Sequence, residues 1–445
     1  MRIASITFCL LVGMSGLFAQ ERADKDSLFT ELKEKIDELR GQVEGLNESY
    51  LETKTTVDAL KKIKVSGYIQ SQFQTAESDG IGTLAGGNFP SGVHSRFLVR
   101  RGRVKVYYDN DLTQYVLQID VTQNGVAIKD AYATIKEPWL KAISLTGGIF
   151  KRPFGFEISY SSSDRESPER TRVIQTLFPG ERDLGAKIEI APPETSPLSF
   201  LNLKLGVLNG VLNTANENDN YKDLLGRAGV QLPFAEQGLA IDGGVSLYSG
   251  KVRSNSRALY KLDTGLNNYA IDSTASNAGS YFDRRYVGAD IQLYYDLPVL
   301  GGLSLRGEYI TGKQPGTSSS SQFYNPGSTV TPLYQRNMAG WYVNYVQNIG
   351  LQHQFVLKYD EYDPNTDAQG SDIGAPGRNL TAADLKYTTL GIGWIYHWDA
   401  NVKFTFYYDM VTNEKVNASA TTTALLPFKE DIKDNVFSIR MQYKF

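Results

Sequence analysis

From Lys64 to the last residue the chain repeats one pattern, stretches of about ten residues in which apolar and polar side chains alternate. The clearest is the end itself, where Phe437, Ile439, Met441, Tyr443 and Phe445 alternate with Ser438, Arg440, Gln442 and Lys444. Period two puts each set on its own face of a strand, so every such stretch has one apolar and one polar face. Outside the first twenty residues no run of about 18 apolar residues exists to make a spanning helix. A polytopic helical membrane protein is therefore excluded, although 41% of the residues are hydrophobic.

Candidate strands fall near 65–74, 95–109, 113–121, 126–136, 141–151, 183–192, 199–209 and 223–232. Eight more fall near 239–250, 281–296, 301–312, 335–347, 351–361, 385–398, 401–412 and 434–445. Their connections alternate in length: 109–112, 347–350 and 398–400 are short, whereas 152–182, 251–280 and 413–433 are long. A soluble sandwich gives no reason for that alternation. An even strand count with short turns on one side and long loops on the other predicts an all-β transmembrane barrel of about 16 antiparallel strands. Residues 64–445 then lie in the bacterial outer membrane with lipid as a partner. Outward sets such as Leu390, Ile392, Trp394, Tyr396 and Trp398 bunch aromatics at strand ends, as an interfacial girdle requires. This explains why 27 Tyr exceed 20 Phe. The balance of 46 Lys and Arg against 49 Asp and Glu argues against a nucleic-acid partner.

Residues 1–19 have a basic start, an apolar run from Ile3 to Phe18 and a small residue before Gln20, the pattern of a signal peptide cleaved after Ala19. Cys9, the single cysteine, lies inside it, so the mature chain is expected to carry no disulfide, thiolate metal site or Cys nucleophile. Residues 20–63 are charged and Pro-free. Phe29, Ile36, Val43, Tyr50 and Val57 recur at one heptad position and Leu32, Leu39, Leu46, Thr53 and Leu60 at the other. This predicts a periplasmic coiled-coil helix, with a lone amphipathic helix on some surface as the alternative.

Parity turns Arg101, Arg103, Lys105, Lys187, Lys204, Arg227, Arg306, Lys358, Lys403 and Arg440 inward, together with Asp120, Glu189, Asp242, Asp290, Glu308, Asp360 and Asp409. Ions of both signs are prohibitively costly in a dry interior, so the lumen is wet. About sixteen strands leave an aqueous channel where about eight would fill with side chains. Two places can give selectivity. Arg101, Arg103 and Lys105 stack as a basic column on one face, which eases the passage of anions, although facing acids can balance it. The third long loop carries Lys151, Arg152, Arg165, Arg170, Arg172 and Arg182 against Glu157, Asp164, Glu166, Glu169 and Glu181, or 6 − 5 = +1. Folded inward it is a constriction, and its near balance predicts weak ion discrimination.

The run Gly148-Ile149-Phe150-Lys151-Arg152-Pro153-Phe154-Gly155-Phe156-Glu157, then Glu169-Arg170 and Pro179-Gly180-Glu181-Arg182-Asp183-Leu184-Gly185, resembles the phosphate-selective porin O and P family. Phe97 to Lys105 and Lys129-Asp130-Ala131-Tyr132 are similar to two earlier strands of that family. The resemblance covers roughly residues 64–445. It implies a homotrimeric sixteen-stranded channel with an inward third loop, in which Arg101, Arg103, Lys151, Arg152, Arg170 and Arg182 line the path. The terminal strand, with Phe437, Ile439, Met441, Tyr443 and Phe445, looks like the signal read by the barrel assembly machinery. The coil resembles stalks on other porins, which meet peptidoglycan. The function expected is passive diffusion of small polar solutes with a weak anion preference, phosphate among the candidates. No cofactor, metal or catalytic residue is expected.

Two rivals were weighed. A barrel phospholipase needs an outward His beside a Ser near the outer leaflet, and His94, His353 and His397 do not sit there. The Gly80 to Gly87 segment reads as flexible loop, and Asn216 to Asn220 reads as solvated loop before it reads as a weak Ca²⁺ holder. The second rival is a structural protein tethering the membrane to the cell wall through its coil, with loops 251–280 and 315–330 displayed outside.

Overall fold

The computed structural model describes residues 4–212, 215–263, 268–324, 329–419 and 422–445, with side chains from Lys25 onward. The signal-peptide reading of residues 1–19, Cys9 included, lies outside the described side chains. The chain divides into two compact units, Met1–Ile63 and Lys64–Phe445.

The first unit is one helix, α1 (Ala4–Lys61). Its heptad residues stay in solvent: Phe29 is 75% exposed, Val43 62% and Leu46 70%. A single copy of this helix therefore leaves its apolar stripe without cover.

The second unit is the barrel. Its first half is β1 (Ile63–Ala76), β2 (Ser95–Asn110), β3 (Thr113–Thr122), β4 (Gly125–Lys136), β5 (Ile143–Lys151), β6 (Arg182–Ile190), β7 (Leu201–Leu208), β8 (Asp223–Phe234) and β9 (Leu239–Arg253). Its second half is β12 (Tyr281–Leu297), β13 (Gly301–Gly316), β14 (Leu333–Ile349), β15 (His353–Asp363), β16 (Tyr387–His397), β17 (Val402–Asn413) and β18 (Val436–Lys444). Each of these sixteen pairs antiparallel with the next, and β18 closes on β1 from Tyr68↔Lys444 to Ala76↔Val436. No sequence-derived strand end is off by more than four residues.

Two elements had no counterpart in the sequence reading. Loop 254–280 contains a hairpin, β10 (Leu259–Asp263) with β11 (Asn268–Asp272), and β10 adds in parallel to β14 at Leu259↔Leu333 and Tyr260↔Tyr334. Its Tyr269 packs with Tyr334, Ile373, Leu385 and Leu425, joining several long loops into an apolar cap over the second half of the barrel. The third long loop contains a short helix, α2 (Arg172–Leu177).

Closure depends on the last residue. Phe445 and Gly67 exchange backbone hydrogen bonds of 2.9 and 3.1 Å, and the Phe445 ring covers the space a Gly67 Cβ would need. Such a Cβ would lie 2.5 Å from the Arg103 carbonyl oxygen and 2.6 Å from the ring. Gly67→Val should cost about 1–3 kcal/mol of overpacking at the seam and reduce the folded, heat-modifiable species seen on unheated gels. Equal yields of that species would show that the seam does not need this contact.

Candidate channel constriction

Segment 152–181, between β5 and β6, lies inside the barrel because the wall supplies a partner for most of its polar groups. At its root, Gly155 adopts φ +60° and a Cβ there would sit within 1.7 Å of a Glu308 carboxylate oxygen. The Gly155 N–H donates to Ser246 Oγ (2.9 Å), and Glu308 accepts from the N–H groups of Phe156 (3.3 Å) and Glu157 (3.2 Å). Phe154, Val173, Ile174, Leu177 and Phe178 bury themselves against Tyr248, Tyr286, Ile310 and Met338 of the far wall. That apolar patch inside a wet lumen anchors the segment.

The tip crosses to the seam. Ser162 shares a hydrogen bond with Tyr68 (2.6 Å) and accepts from Gln70 (2.9 Å) and Arg103 (2.9 Å). The Ser163 carbonyl accepts from Lys403 (3.0 Å) and Gln442 (2.9 Å), and Asp164 pairs with Lys444 (2.7 Å). Glu166 pairs with Arg306 (2.7 Å).

Glu169 is the firmest tie. Its carboxylate accepts from Arg100 (2.8 Å), Arg101 (2.7 Å) and Arg440 (2.9 Å). Burial pushes this carboxyl up, but Arg100, Arg101, Arg440 and Arg165 more than offset it and hold it well below the usual carboxylate range. A charge removed from water is tolerated here because every partner is ionic and charge-assisted.

The segment leaves cavities on both sides of the lumen. On the β2–β8 side, a cavity of about 270 Å³ is lined by Arg100, Arg101, Arg103, Lys129, Arg170, Asp120, Glu169 and Glu181 among others. Arg103 also lines a second cavity, of about 450 Å³. Nine basic side chains line the second cavity, including Lys105, Lys151, Lys187, Lys204 and Arg227, against one acid, Asp130. Ser159, Ser161 and Ser163 of the segment line the same space, the Ser159 hydroxyl donating to the Phe156 carbonyl (2.7 Å) and the Ser163 hydroxyl to Asp164 (3.1 Å). A third cavity, of about 650 Å³ on the β8–β14 side, contains Tyr160, Tyr294, Asn348 and Gln354 with Arg306 set against Glu166 and Asp296.

Most of the nine cations are paired. Arg103 meets Asp120 (3.3 Å), Arg182 meets Asp130 (3.1 Å), Arg227 meets Asp290 (2.6 Å), and Lys187 and Lys204 share Glu189 (3.1 and 3.4 Å). Lys105 and Lys151 have no carboxylate within salt-bridge distance among the described residues. Lys105 lies over the Tyr107 ring, and Lys151 donates to the Ser159 carbonyl at 2.8 Å.

These contacts correct the basic column. Arg101 is paired with Glu169 and Arg103 with Asp120, so Lys105 alone of the three has no carboxylate partner among the described residues. Arg152 is fully buried against Asp183 (3.3 Å), and Arg165 donates to the carbonyls of Ser167 and Pro168 within its own loop. Arg172 stacks on the Tyr387 ring at 4.0 Å, and Arg170 is held by Glu181 and three loop carbonyls. These four brace the segment, although Arg152 and Arg170 also border the cavities, as Lys151 and Arg182 do. Parity along a strand identifies an inward side chain but not its partner, which is why Glu169 was the residue to miss as a clamp. Phe437, Ile439, Met441, Tyr443 and Phe445 keep the outward face expected of them, with Tyr443 and Phe445 rings 6.4 Å apart.

Other candidate chemistry is occupied internally. Glu217 binds Lys222 (2.7 Å) and the N–H groups of Asn218 and Asp219, and His94, His353 and His397 contact Asp79, Trp394 and Gln354. Among the described residues no cluster of three or more His, Cys, Asp and Glu could hold a metal ion.

Residues 94–445 match the model of the family described as phosphate-selective porin O and P. None of the curated proteins compared matches the sequence. Among solved structures, the outer membrane channel DcaP of Acinetobacter baumannii is 13% identical with a TM-score of 0.53, covering 86% of this chain and 97% of its own. An anion-selective porin from Comamonas acidovorans is 12% identical with a TM-score of 0.52, covering 86% and 99%. OprB of Pseudomonas putida is 9% identical with a TM-score of 0.56, covering 88% and 96%. At such identities these structures bear on the fold.

Glu169→Gln leaves three guanidiniums without a buried counter-ion, a loss of about 3–5 kcal/mol for such a site. Single-channel recordings of that variant should show larger, noisier openings; wild-type traces would mean other contacts suffice to hold the segment. The depressed pKa of Glu169 also fixes a pH window. Its stabilisation is complete above the unfolded carboxylate value of about 4.3 and is lost only as pH falls through the lower folded value. Quiet recordings should therefore persist at about pH 4, and onset of noise between neutral pH and that point would contradict the clamp.

Proposed function

This chain belongs to the phosphate-selective porin O and P family, and we propose that its channel carries small anions along one side of the barrel, between the inward segment and strands β2–β8. As a member of that family with a closed sixteen-stranded barrel, it is a porin of the bacterial outer membrane, a channel rather than an enzyme.

The observation that supports the anion route is a pair of neighbouring cavities, both lined mostly by basic side chains and sharing Arg103. An anion leaving water needs donors and positive potential along its path. Lys105 and Lys151, without carboxylate partners among the described residues, provide these on the wall beside Arg103. Because most cations in the cavity already have carboxylate partners, the potential is moderate and the preference weak. Phosphate fits this lining as one oxyanion among several, in keeping with the anion-selective porin among the similar structures.

The wall cations are tested by reversal potential in a salt gradient. Lys105→Gln with Lys151→Gln should move the potential toward zero. If the double variant keeps the wild-type potential, the anion route lies elsewhere.

The exposed heptad stripe of α1 supports a second part of the proposal. Copies of this chain assemble as a homotrimer, their helices pairing as a periplasmic coiled coil that reaches peptidoglycan, after removal of residues 1–19. Deleting residues 21–62 should leave single-channel conductance unchanged and abolish co-sedimentation with isolated peptidoglycan. Undiminished co-sedimentation of the deletion variant would remove the tethering role.

A further inference from the structure

Strands β12 and β13 pair over nearly their whole length, and their outward side chains form a ladder that runs from one membrane edge to the other. Every rung from Tyr295↔Leu303 at the short-turn end up to Val287↔Thr311 is free of charge. The next rung is Arg285↔Lys313. Ten residues separate it from Tyr295, 295 − 285 = 10. At about 3.4 Å per residue and a tilt of about 40° this is a height of about 26 Å, against an apolar band about 25 Å tall. The two cations therefore stand at the outer edge of the band, where hydrocarbon gives way to headgroups.

Like charges directly opposite on one face destabilise a strand pair. Arg285 has a partial counter-ion in Asp283 at 3.4 Å, and Lys313 has no carboxylate within salt-bridge distance among the described residues. On the other flank β9 adds Lys251, opposite Asp283, and Arg253, opposite Tyr281, to the same outward face. Lys251 lies over the Tyr221 ring at 5.1 Å, and Arg253 reaches only the Asn218 carbonyl, at 3.5 Å. Four cations thus share one acid, 4 − 1 = +3. The excess is local, because β15 turns Glu361 and Asp363 outward at its own outer end. Cations that serve the channel point into the lumen, whereas these point away from it.

We propose that this sector of β9, β12 and β13 binds the phosphate of a phosphorylated lipid in the outer leaflet. A guanidinium presents paired donors that match phosphate oxygens, and an ammonium beside it adds a point charge. The anion placed between Arg285 and Lys313 removes their mutual repulsion. Directly below, Val287, Thr311 and Tyr309 offer an uncharged wall to acyl chains. One molecule that carries both phosphate and acyl chains satisfies both halves of this surface. A soluble anion satisfies only the upper half, and an acidic protein would have to displace the headgroups to reach it. Tyr221 and Tyr281, with rings 5.9 Å apart, stand beside the cations and supply the amphipathic rings favoured at headgroup level.

The purified protein in mild detergent is titrated with diphosphorylated lipid A, and bound lipid is counted by native mass spectrometry. Arg285→Gln and Lys313→Gln should each weaken binding about five-fold and together about twenty-five-fold, the attraction expected of each cation near an anionic surface. Lys136→Gln with Lys141→Gln, which removes the same charge on the short-turn side, should leave binding at the wild-type level. Lipid A stripped of its phosphates should bind the wild-type protein no better than diphosphorylated lipid A binds the Arg285→Gln, Lys313→Gln protein. Single-channel conductance of that protein should match wild type, which shows that the barrel has assembled; if it does not assemble, the two single variants decide alone. Wild-type binding after loss of both cations would overturn the proposal, as would equal loss in the short-turn variant. Displacement of the lipid by equimolar inorganic phosphate would assign the sector to a soluble anion and overturn it as well.

Discussion

Hydrocarbon offers a peptide group no hydrogen bond, so a strand wall in lipid must close on itself. In this chain the closure is the pairing of β1 with β18, sealed by Phe445 over Gly67. Once the ladder is closed, the period of two does the rest: every second side chain is committed to lipid or a neighbour, and every other one to the lumen. Sixteen strands make that lumen too wide to fill with wall side chains alone. A segment of the chain has to enter it, or the interior remains an open aqueous hole.

The segment that enters is neither a plug nor a free loop. Its apolar residues settle on Tyr248, Tyr286 and Ile310, and its polar residues find wall ions on both sides. The two sides of the lumen differ in charge: basic side chains gather on the β2–β8 side, while Arg306 is the cation of the other cavity. Glu169 decides how the boundary is held. Three guanidiniums on one carboxylate exceed what neutrality requires, and the remaining positive potential is left beside the passage.

The strand pattern was readable because alternation is a local property, repeated sixteen times with turn residues between. The same parity correctly sent Arg103, Lys105 and Lys187 inward. It could not say that Arg101, two residues from Arg103 and on the same face, is locked while Lys105 is open, because Glu169 approaches from 68 residues away. Arg152 and Arg172 looked like pore cations for the same reason, and their partners Asp183 and Tyr387 are tertiary neighbours. The β10–β11 hairpin escaped because five-residue strands in a polar loop carry too few alternations to register. Helix α2 escaped because six residues barely exceed one turn, and burial of Val173, Ile174 and Leu177, rather than propensity, sustains it.

Net charge is a poor guide to such a channel because it sums over pairs that space has sorted. The stretch from Lys151 to Arg182 is nearly balanced by count, with six bases and five acids. Yet its acids Asp164, Glu166 and Glu169 all turn to wall bases, and its bases Arg165, Arg170 and Arg172 turn mostly to carbonyls, an aromatic face and its own Glu181. What lines the passage on the segment side is therefore Ser159, Ser161 and Ser163, with Lys151 at its root. A chain that is acidic overall, at −3, can in this way present a basic path to solutes. Its selectivity is set by which few charges are left unpaired, and the strength of that selectivity is limited by how few they are.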